Sequence, residues 1–237
     1  MCIGFRAFLD FERPEKELVE AYRGIPSANI GDCVRKMTCM FDGIRSFNKK
    51  PLIGTAFTVK VPSGDNLVAQ MALDYAKPGD IIVVDGAGYT DRALVGGMML
   101  AYAQERNLGG FVVNGAVRDL DDIKNSPLPV FAKAVTPLGP YRDGPGEVNV
   151  PVVCGGQVVM PGDILVGDID GIVVVPRKDA AKLLNDVHKN LEQEQREIKQ
   201  MLEGTYTEEE HQEIFTGQFL KRGGSLEAVS YTHLRAH

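Results

Sequence analysis

The chain has 237 residues, of which 44% are hydrophobic and 24% are charged, and this composition excludes an intrinsically disordered protein. Its 26 basic and 32 acidic residues give a formal net charge of −6. A field of this sign repels phosphate backbones and anionic lipid, so we expect neither a nucleic-acid nor a membrane partner.

Cysteine usage and the apolar runs predict a soluble cytoplasmic protein. The four cysteines have no paired C-x-x-C spacing, and a chain of this length needs no disulfide framework, so we expect reduced thiols. Asp10 and Glu12 interrupt the apolar residues near the N-terminus, which therefore do not read as a signal peptide. No run approaches the roughly 20 apolar residues needed to cross a bilayer.

The last residues differ in character from the rest of the chain. Ser225–His237 has no apolar periodicity, and it contains His233 and His237, two of the four histidines. The string resembles translated sequencing-adapter read-through, and the alternative interpretation is a native tail that stays disordered. We predict one domain over residues 1–222 and a non-native tail over 223–237, with neither histidine acting as a metal ligand.

Hydrophobic spacing in the N-terminal half predicts βαβ units. Residues 13–23 and 28–37 have helical patterns, the second with Ser27 as its N-cap. This alternation of types is typical of an α/β fold with parallel strands. The elements that follow are a strand at Gly54–Val61, a helix at Leu67–Ala76, a strand at Ile81–Asp85, a helix over about 91–106 and a strand at Gly110–Asn114.

From Pro129 onward the pattern predicts a compact β layer of short strands and then a long helix. Asp170-Gly171 is a hairpin signal between the last two strands. The helix Lys178–Glu203 has one apolar stripe and charged faces, which indicate either a solvated surface or contact with a neighbouring subunit. The predicted strands are Val130–Val135, Val148–Cys154, Gln157–Met160, Ile164–Asp168 and Ile172–Pro176.

Two segments of the chain resemble each other. Lys77–Asp85 and Met160–Asp168 both place Pro-Gly-Asp before an apolar strand. Either an internal duplication or a recurring turn explains this likeness. The flanking residues do not match, which favours the recurring turn.

Several common catalytic motifs are absent. His188 and His211 lie 23 positions apart without clustered cysteines, so a structural zinc site is not expected, and neither a G-x-S-x-G elbow nor a Walker A loop occurs. Gly86-Ala87-Gly88 has the spacing of a dinucleotide fingerprint, with Glu105 nineteen residues after Gly86. Asp91, however, stands at the third glycine position and has the wrong charge for a pyrophosphate. We therefore interpret the segment as a glycine turn.

The most informative stretch consists of Gly96-Gly97-Met98-Met99 and, after twenty further residues beyond Gly97, Arg118-Asp119-Leu120-Asp121-Asp122. We expect a turn at Gly115-Ala116 after the strand Gly110–Asn114. At the end of this strand, Arg118 can hold a carboxylate with its planar guanidinium, and Asp119 can hold a hard divalent cation that also contacts a keto oxygen. The two glycines would let backbone N–H groups approach an anion. The alternative is a surface ion pair between Arg118 and Asp119 that contributes little.

This pattern resembles the RraA-like family, in the branch of the 4-hydroxy-4-methyl-2-oxoglutarate/4-carboxy-4-hydroxy-2-oxoadipate aldolases. The signature is Gly97, a gap of twenty residues, and Arg118-Asp119-x-x-Asp122. The likeness runs from about Ile25 to Glu203. Further matching stretches are Gly64-Asp65-Asn66, Lys77-Pro78-Gly79-Asp80, Asn114 to Asp119 and Gly167 to Pro176.

The resemblance implies a fold, an assembly and a set of residue roles. The expected fold is an αββα sandwich like the phosphohistidine swivelling domain, assembled as a homotrimer or a dimer of trimers with sites between subunits. Arg118 would bind the pyruvyl carboxylate, and Asp119 would hold Mg²⁺ or Mn²⁺, with Asp122 acting on the metal shell through water. The amides of Gly96, Gly97, Met98 and Met99 would complete the substrate cradle.

The resemblance also implies metal-dependent retro-aldol cleavage of a small 2-oxo acid. The metal and Arg118 would hold the 2-oxo acid end, and a base such as a metal-bound water would take the proton of the C4 hydroxyl. The C3–C4 bond would then break, leaving a pyruvate enolate that the cation and the guanidinium stabilise. Oxaloacetate decarboxylation passes through the same enolate and is the expected side activity. The substrate stays open among 4-hydroxy-4-methyl-2-oxoglutarate, its carboxy homologue and another 2-oxo acid.

A second implied function belongs to another class. The same family contains regulators that bind ribonuclease E and inhibit it without catalysis. In such a regulator the residue after the arginine is not an acid, whereas this chain has Asp119. The sequence therefore favours an enzyme, and it shows no site for a methyltransferase cofactor.

Overall fold

The computed structural model describes residues 2–41 and 43–226. These residues form two compact units, one ending at His188 and the other beginning at Lys189. Most of the predicted tail, including His233 and His237, lies outside the described residues. The single domain over 1–222 stays a prediction.

The chain alternates strands and helices through most of the first unit. The strands are β1 (Phe5–Ala7), β2 (Arg45–Ser46), β3 (Leu52–Lys60), β4 (Asp80–Asp85), β5 (Ala93–Val95), β6 (Gly110–Val117), β7 (Val130–Val135), β8 (Gly146–Val148), β9 (Val152–Cys154), β10 (Gln157–Val159), β11 (Ile164–Gly167) and β12 (Ile172–Val175). The helices are α1 (Lys16–Glu20), α2 (Ser27–Cys33), α3 (Leu67–Tyr75), α4 (Gly97–Glu105), α5 (Leu120–Asn125), α6 (Ala180–Leu202) and α7 (Glu208–Lys221).

The centre of the fold is a mixed sheet, to which ten strands belong among the described residues. Its main path follows the order β1-β8-β3-β4-β6-β7-β2, in which β3, β4, β6 and β7 are parallel neighbours. The antiparallel pair β11–β12 joins through β3, and β5 pairs with β6. This arrangement confirms the predicted mixed α/β fold.

Apolar residues pack on both faces of this sheet. The strands alternate their side chains between the faces, so each strand contributes to two cores. On one face, sheet residues pack with α3, α4 and α5: Phe57, Ile82, Val84, Val113, Ala72, Leu73, Leu100 and Ile123 are buried there. On the other face, the core combines residues of the central strands with residues of the hairpins β9–β10 and β11–β12. Ile81, Val83, Val112, Phe131, Val152, Val159 and Val174 are buried there.

Several predicted elements differ from the structure. The predicted strand Val148–Cys154 forms two strands, since β8 ends at Val148 and β9 begins at Val152. The predicted helix over 91–106 begins with a short strand, Ala93–Val95, and the helix itself starts only at Gly97. Gly115 and Ala116, expected to form a turn, lie inside β6, which continues to Val117 because β5 and β7 pair with its end. Of the strands predicted to form a compact β layer, β7, β8, β11 and β12 join the main sheet, whereas β9 and β10 pair with each other in a two-stranded sheet.

Ser27 is not the N-cap of its helix. Pro26 occupies that position, and Ser27 is the first helical residue. Both the backbone N–H and the hydroxyl of Ser27 donate to the carboxylate of Asp168, at 2.8 and 2.7 Å. The serine therefore ties α2 to the loop between β11 and β12.

The two similar Pro-Gly-Asp segments form the same turn. The carboxylate of Asp80 accepts the N–H of Lys77 at 2.9 Å, and that of Asp163 accepts the N–H of Met160 at 2.8 Å. The strands that follow pair differently with β3, β4 in parallel and β11 antiparallel. The likeness is thus a recurring turn in two different positions.

The second unit, within the described residues, contains the C-terminal part of α6 and all of α7. Helix α7 begins at a capping box, in which the Thr207 hydroxyl accepts the N–H of Glu210 and the Glu210 carboxylate accepts the N–H of Thr207. Along α7 the rings of His211 and Phe215 lie 4.7 Å apart. None of the helices in the described part of the chain is long and apolar enough to span a membrane.

Candidate active site

The candidate site lies where β6 ends and α4 begins. The backbone N–H of Arg118, directly after β6, donates to the carbonyl of Val95, the last residue of β5, at 3.0 Å. This bond holds Arg118 beside Gly96, which follows Val95. Gly96 is the N-cap of α4. The pairing of β5 with β6 therefore brings together two segments that are about twenty positions apart in the sequence.

Asp119 sits at the turn between β6 and α5. Its backbone has φ 60° and ψ 52°, in the left-handed region that aspartate tolerates better than most residues. This turn reverses the chain, and the carboxylate Oδ2 of Asp119 accepts the N–H of Gly97 at 2.8 Å. The first helical amide of α4 thus already contacts an oxygen anion.

Gly96 and Gly97 leave room for the side chains that follow β6. A Cβ atom on Gly96 would lie 2.7 Å from Oδ2 of Asp119 and 3.0 Å from Nε of Arg118. A Cβ atom on Gly97 would lie 2.4 Å from Oδ2 of Asp122 and 3.5 Å from Oδ2 of Asp119. Both carboxylates therefore converge on the backbone at the start of α4.

The Arg118 and Asp119 side chains are partly open to solvent. Nε of Arg118 lies 3.6 Å from Oδ2 of Asp119, and the two side chains are 37% and 42% exposed. Such a pair contributes little to stability as an ion pair alone. Because Oδ2 of Asp119 also accepts the amide of Gly97, the arrangement is more than the isolated surface ion pair considered as an alternative.

A loop after β7 covers the guanidinium. A Cβ atom on Gly139 would lie 2.9 Å from Nη1 of Arg118, so the backbone of this loop packs directly on the arginine. Arg92 holds the loop in place by donating to the Gly139 carbonyl at 2.7 Å and to the Tyr141 hydroxyl at 2.9 Å. Its guanidinium also stacks on the Tyr141 ring, 3.9 Å from the centroid.

A small pocket adjoins Arg118, and its other polar residues were not predicted from the sequence. Asn66, Gln70 and Arg142 line it together with Arg118 and Met98. The Asn66 amide nitrogen donates to the Leu94 carbonyl at 2.8 Å, while its buried oxygen Oδ1 has no hydrogen-bond partner within the described residues. The pocket has a volume of about 20 Å³, room for about one water, so a second arginine and an unpaired carbonyl oxygen could contact only the edge of a polar ligand bound at Arg118.

The predicted cradle residues Met98 and Met99 are the second and third residues of α4. Amide groups in the first turn of a helix have no intrahelical acceptor and carry the positive end of the helix dipole. The Met98 side chain is 73% exposed beside the pocket, whereas the Met99 side chain is buried in the core. The methionines can therefore offer amides to a ligand, and Met98 also offers its side chain.

The donor set of the site fits a hard divalent cation held mainly by water and substrate. Within the described residues no group of three or more His, Cys, Asp or Glu side chains could hold a metal ion by itself. Asp119 and Asp122 supply two neighbouring carboxylates. Mg²⁺ commonly binds through one or two carboxylates and completes its shell with waters and substrate oxygens.

The Gly86-Ala87-Gly88 segment is a glycine turn, as interpreted from the sequence. The N–H groups of Gly86 and Gly88 both donate to the Asn114 carbonyl, at 3.2 and 3.1 Å. These bonds anchor the turn to β6. The amides are therefore not directed at a phosphate.

Comparison with known proteins identifies the family. A family model described as "RraA-like: Aldolase/RraA" matches residues 27–174. A protein of Halalkalibacterium halodurans named "Putative 4-hydroxy-4-methyl-2-oxoglutarate aldolase" is 37% identical over 176 residues, which cover 74% of this chain and 84% of that protein. The chain belongs to the RraA-like family. The predicted RraA-like membership and fold are thereby confirmed.

Other RraA-like relatives carry two kinds of name. A protein of Thermus thermophilus named "4-hydroxy-4-methyl-2-oxoglutarate aldolase" is 38% identical over 112 residues, 47% of this chain and 68% of its own. The crystal structure of Streptomyces coelicolor RraAS2, described as an unusual member of the RNase ES inhibitor RraA protein family, superposes with a TM-score of 0.71. It is 26% identical and covers 79% of this chain and 99% of its own.

Proposed function

We propose that this chain is a divalent-metal-dependent pyruvate aldolase that cleaves 4-hydroxy-4-methyl-2-oxoglutarate or a related 4-hydroxy-2-oxo acid. The observation that carries the proposal is the meeting of Arg118, Asp119 and the first amide of α4 at one point. A guanidinium and the first-turn amides of α4 beyond Gly97 suit a 2-oxo acid, and a carboxylate suits a hard cation. The aldolase names of two relatives support the same reaction.

Arg118 and the amides of α4 have different roles in the proposed reaction. Arg118 binds the substrate carboxylate with parallel N–H donors and fixes the 2-oxo acid end. A water acting as base takes the proton of the C4 hydroxyl, C4 becomes a carbonyl carbon as the C3–C4 bond breaks, and the electron pair of that bond moves into the pyruvate enolate. Return of a proton to C3 of the enolate then gives pyruvate. The guanidinium and the amides of α4 stabilise the oxygen that becomes negative in this step.

Asp119 would hold Mg²⁺ or Mn²⁺ in this proposal, with Asp122 bound to the metal shell through water. When bound, such a cation polarises the keto oxygen and stabilises developing negative charge. Among the described residues, the Asp119 carboxylate accepts the Gly97 amide and lies 3.6 Å from Nε of Arg118, and the side chain is 42% exposed. The same protein groups would act on oxaloacetate, so decarboxylation of that acid is the proposed side activity.

A second candidate function is inhibition of a ribonuclease. The observation that favours it is the structural likeness to a member of the RNase ES inhibitor family. Asp119 favours the enzyme, because its carboxylate beside Arg118 can hold a hard divalent cation in addition to accepting the Gly97 amide. An RNA-cleavage assay with ribonuclease E, with and without the purified chain, separates the two functions.

Pyruvate release tests the proposed reaction. The purified chain is incubated with 4-hydroxy-4-methyl-2-oxoglutarate, its carboxy homologue and oxaloacetate, with Mg²⁺ or with EDTA, and pyruvate is measured by coupled reduction. We expect turnover of at least one of these acids with Mg²⁺ and none in EDTA. Full turnover in EDTA, or trapping of substrate on a lysine by borohydride, would contradict the metal-dependent mechanism.

A further inference from the structure

A second cleft, the basic cleft, lies at the edge of the sheet where β3, β4, β6 and β7 begin. Its volume is about 560 Å³, within the range of roughly 300–1,000 Å³ that is common for small-molecule pockets. The Lys77–Asp80 turn leads into β4, whereas Asp119 follows the end of β6, and these two strands are parallel. The strands separate the two places by roughly 20 Å, so the basic cleft is not part of the candidate active site.

Positive charge is concentrated around the basic cleft. Because the whole chain has a net charge of −6, a local excess of positive charge here is not a reflection of composition. The charged residues that line it are Arg13, Lys16, Arg23, Lys50 and Lys77, against Glu20 and Asp80.

The two acidic residues are already matched by the two arginines. Arg13 donates to both carboxylate oxygens of Asp80, at 3.3 and 2.9 Å, and the Asp80 side chain is only 3% exposed. Arg23 donates to both carboxylate oxygens of Glu20, at 2.6 and 2.9 Å. The three lysines therefore supply most of the charge that remains around the cleft. The charge of Lys16 also acts on Glu20 and, after the hydrogen bonds from Arg23, helps to lower the pKa of that carboxyl.

Lys16, Lys50 and Lys77 have no acidic partner within ion-pair distance in the described part of the chain. They come from three different segments: α1, the residues before β3 and the turn before β4. All three lysines are exposed, and a bound anion could attract ammonium groups from three sides of the cleft.

The floor of the basic cleft is rigid. A Cβ atom on Gly54 or Gly109 would lie 2.3 or 2.6 Å from the Gly79 carbonyl oxygen, so this turn is packed tightly against the ends of β3 and β6. Asp80 also accepts the N–H of Lys77. The apolar part of the lining includes five prolines: Pro14, Pro51, Pro78, Pro127 and Pro129.

An apolar cavity continues the basic cleft. Its volume is about 480 Å³, and it shares Arg23, Pro51 and Ile53 with the basic cleft. Its further lining includes Tyr22 and Val166. A ligand could thus place an anionic group among the lysines and an apolar body in the adjoining cavity.

We propose that the basic cleft binds an organic phosphate, a small molecule with a phosphoryl group and an apolar body. Lysine ammonium groups are point charges that suit a phosphoryl group from several directions, whereas both planar guanidinium groups are held by carboxylates. This site is independent of the proposed aldolase reaction.

Titration calorimetry with phenyl phosphate tests the proposal, because this probe has a phosphoryl group and an apolar ring but no carboxylate for Arg118. We expect the full chain to bind it more tightly than inorganic phosphate or phenol. The combined variant Lys16→Ala, Lys50→Ala and Lys77→Ala should weaken binding about tenfold or more, since three charge-assisted contacts are removed.

The matched control is the combined variant Lys178→Ala, Lys182→Ala and Lys189→Ala, which removes the same charge from exposed positions outside the basic cleft. It should bind phenyl phosphate as the unchanged chain does, and so should Arg118→Lys. Absence of binding at about 10 mM probe, or equal binding by the basic-cleft variant, would overturn the proposal. Loss of phenyl phosphate binding in Arg118→Lys would show that the probe binds at the candidate active site, and this result would also overturn the proposal.

The alternative is that the same lysines form a contact between two copies of this chain. In that case the basic-cleft variant would change the mass measured by light scattering, and phenyl phosphate would bind neither protein. That result would overturn the organic-phosphate site. An unchanged mass together with weakened phenyl phosphate binding supports it.

Discussion

Replacing Arg118 by lysine keeps the positive charge but removes the planar pair of donors. We expect Arg118→Lys to lower kcat/KM for pyruvate release by about 10- to 100-fold, because one or two charge-assisted hydrogen bonds to the carboxylate are lost. Steady-state kinetics with Mg²⁺ measures this effect. A near-normal kcat/KM would show that the arginine does not hold the substrate carboxylate.

Replacing Gly97 by alanine tests the role of the Asp122 carboxylate by moving it sterically, without changing any charge. In Gly97→Ala the new methyl group would approach Oδ2 of Asp122 to 2.4 Å and displace that carboxylate. We expect turnover to fall by about tenfold or more, while thermal stability stays equal or rises because alanine favours helix by about 1 kcal/mol. Pyruvate release and thermal melting are measured on the same sample.

Gly217→Ala is the matched control for the Gly97 variant. It lies in α7, where the nearest atom to a new Cβ is 3.9 Å away. This variant should keep normal turnover. If both alanine variants lost activity equally, the crowding of Asp122 would not be the cause.

At the level of single residues, the sequence predicted those residues of the candidate active site that lie in two short segments of the chain. Arg118, Asp119 and Asp122 follow one strand, and Gly97 begins the helix that meets them. Arg92, Asn66 and Arg142 were missed. They reach Arg118 only through the loop after β7 and the pairing of β5 with β6, and these long-range contacts leave no local pattern in the sequence.

Among the elements, α2 and the β11–β12 hairpin are joined through the carboxylate of Asp168. Burial alone would raise the pKa of this carboxyl, but the hydrogen bonds donated by Ser27 and Asp170 outweigh burial and hold the pKa below its usual value. A lowered folded-state pKa stabilises the fold above the unfolded pKa of about 4 and loses that effect as the pH falls further.

Asp168→Asn should therefore lower the free energy of unfolding at pH 7 by about 1–2 kcal/mol, because an amide cannot accept both bonds from Ser27. The difference from the unchanged chain should shrink as the pH falls from about 5 toward 3. Urea unfolding over this pH range measures it. Asp170→Asn, at an exposed position, is the control, and a difference that stays constant with pH would contradict the assigned role.

Long elements were predicted more accurately than short ones. The strand Val130–Val135 and most of the long helix α6 agree with the structure, since several turns or residue pairs establish a clear period. The three residues of β5 are too few for a period to appear, so they were included in the following helix. Glycine and alanine in β6 suggested a turn, but pairing on both sides keeps them extended.

For the whole molecule, exposed apolar side chains favour an assembly. Val153 and Val158 are 50% and 61% exposed on the β9–β10 hairpin. Met201 and Leu202 near the end of α6 are 49% and 84% exposed. Apolar surface of this kind commonly marks an interface with another subunit.

We accordingly expect a homo-oligomer, either a trimer or a hexamer, at micromolar concentration. Multi-angle light scattering after size-exclusion chromatography measures the mass directly. Val158→Lys, which places a charge on the exposed hairpin, should reduce the mass if this face is in the interface. A monomer in the unchanged protein would contradict the predicted assembly and any site between subunits.

The central claim concerns Asp119, and Mg²⁺-dependent pyruvate release by two neighbouring carboxylate variants tests it most directly. Asp119→Asn has nearly the same size but no charge to hold a cation, whereas Asp121→Asn changes a side chain that is 96% exposed. We predict that Asp119→Asn folds normally and loses Mg²⁺-dependent release, while Asp121→Asn keeps it. Equal release by Asp119→Asn and the unchanged chain would contradict the proposed metal-dependent aldolase.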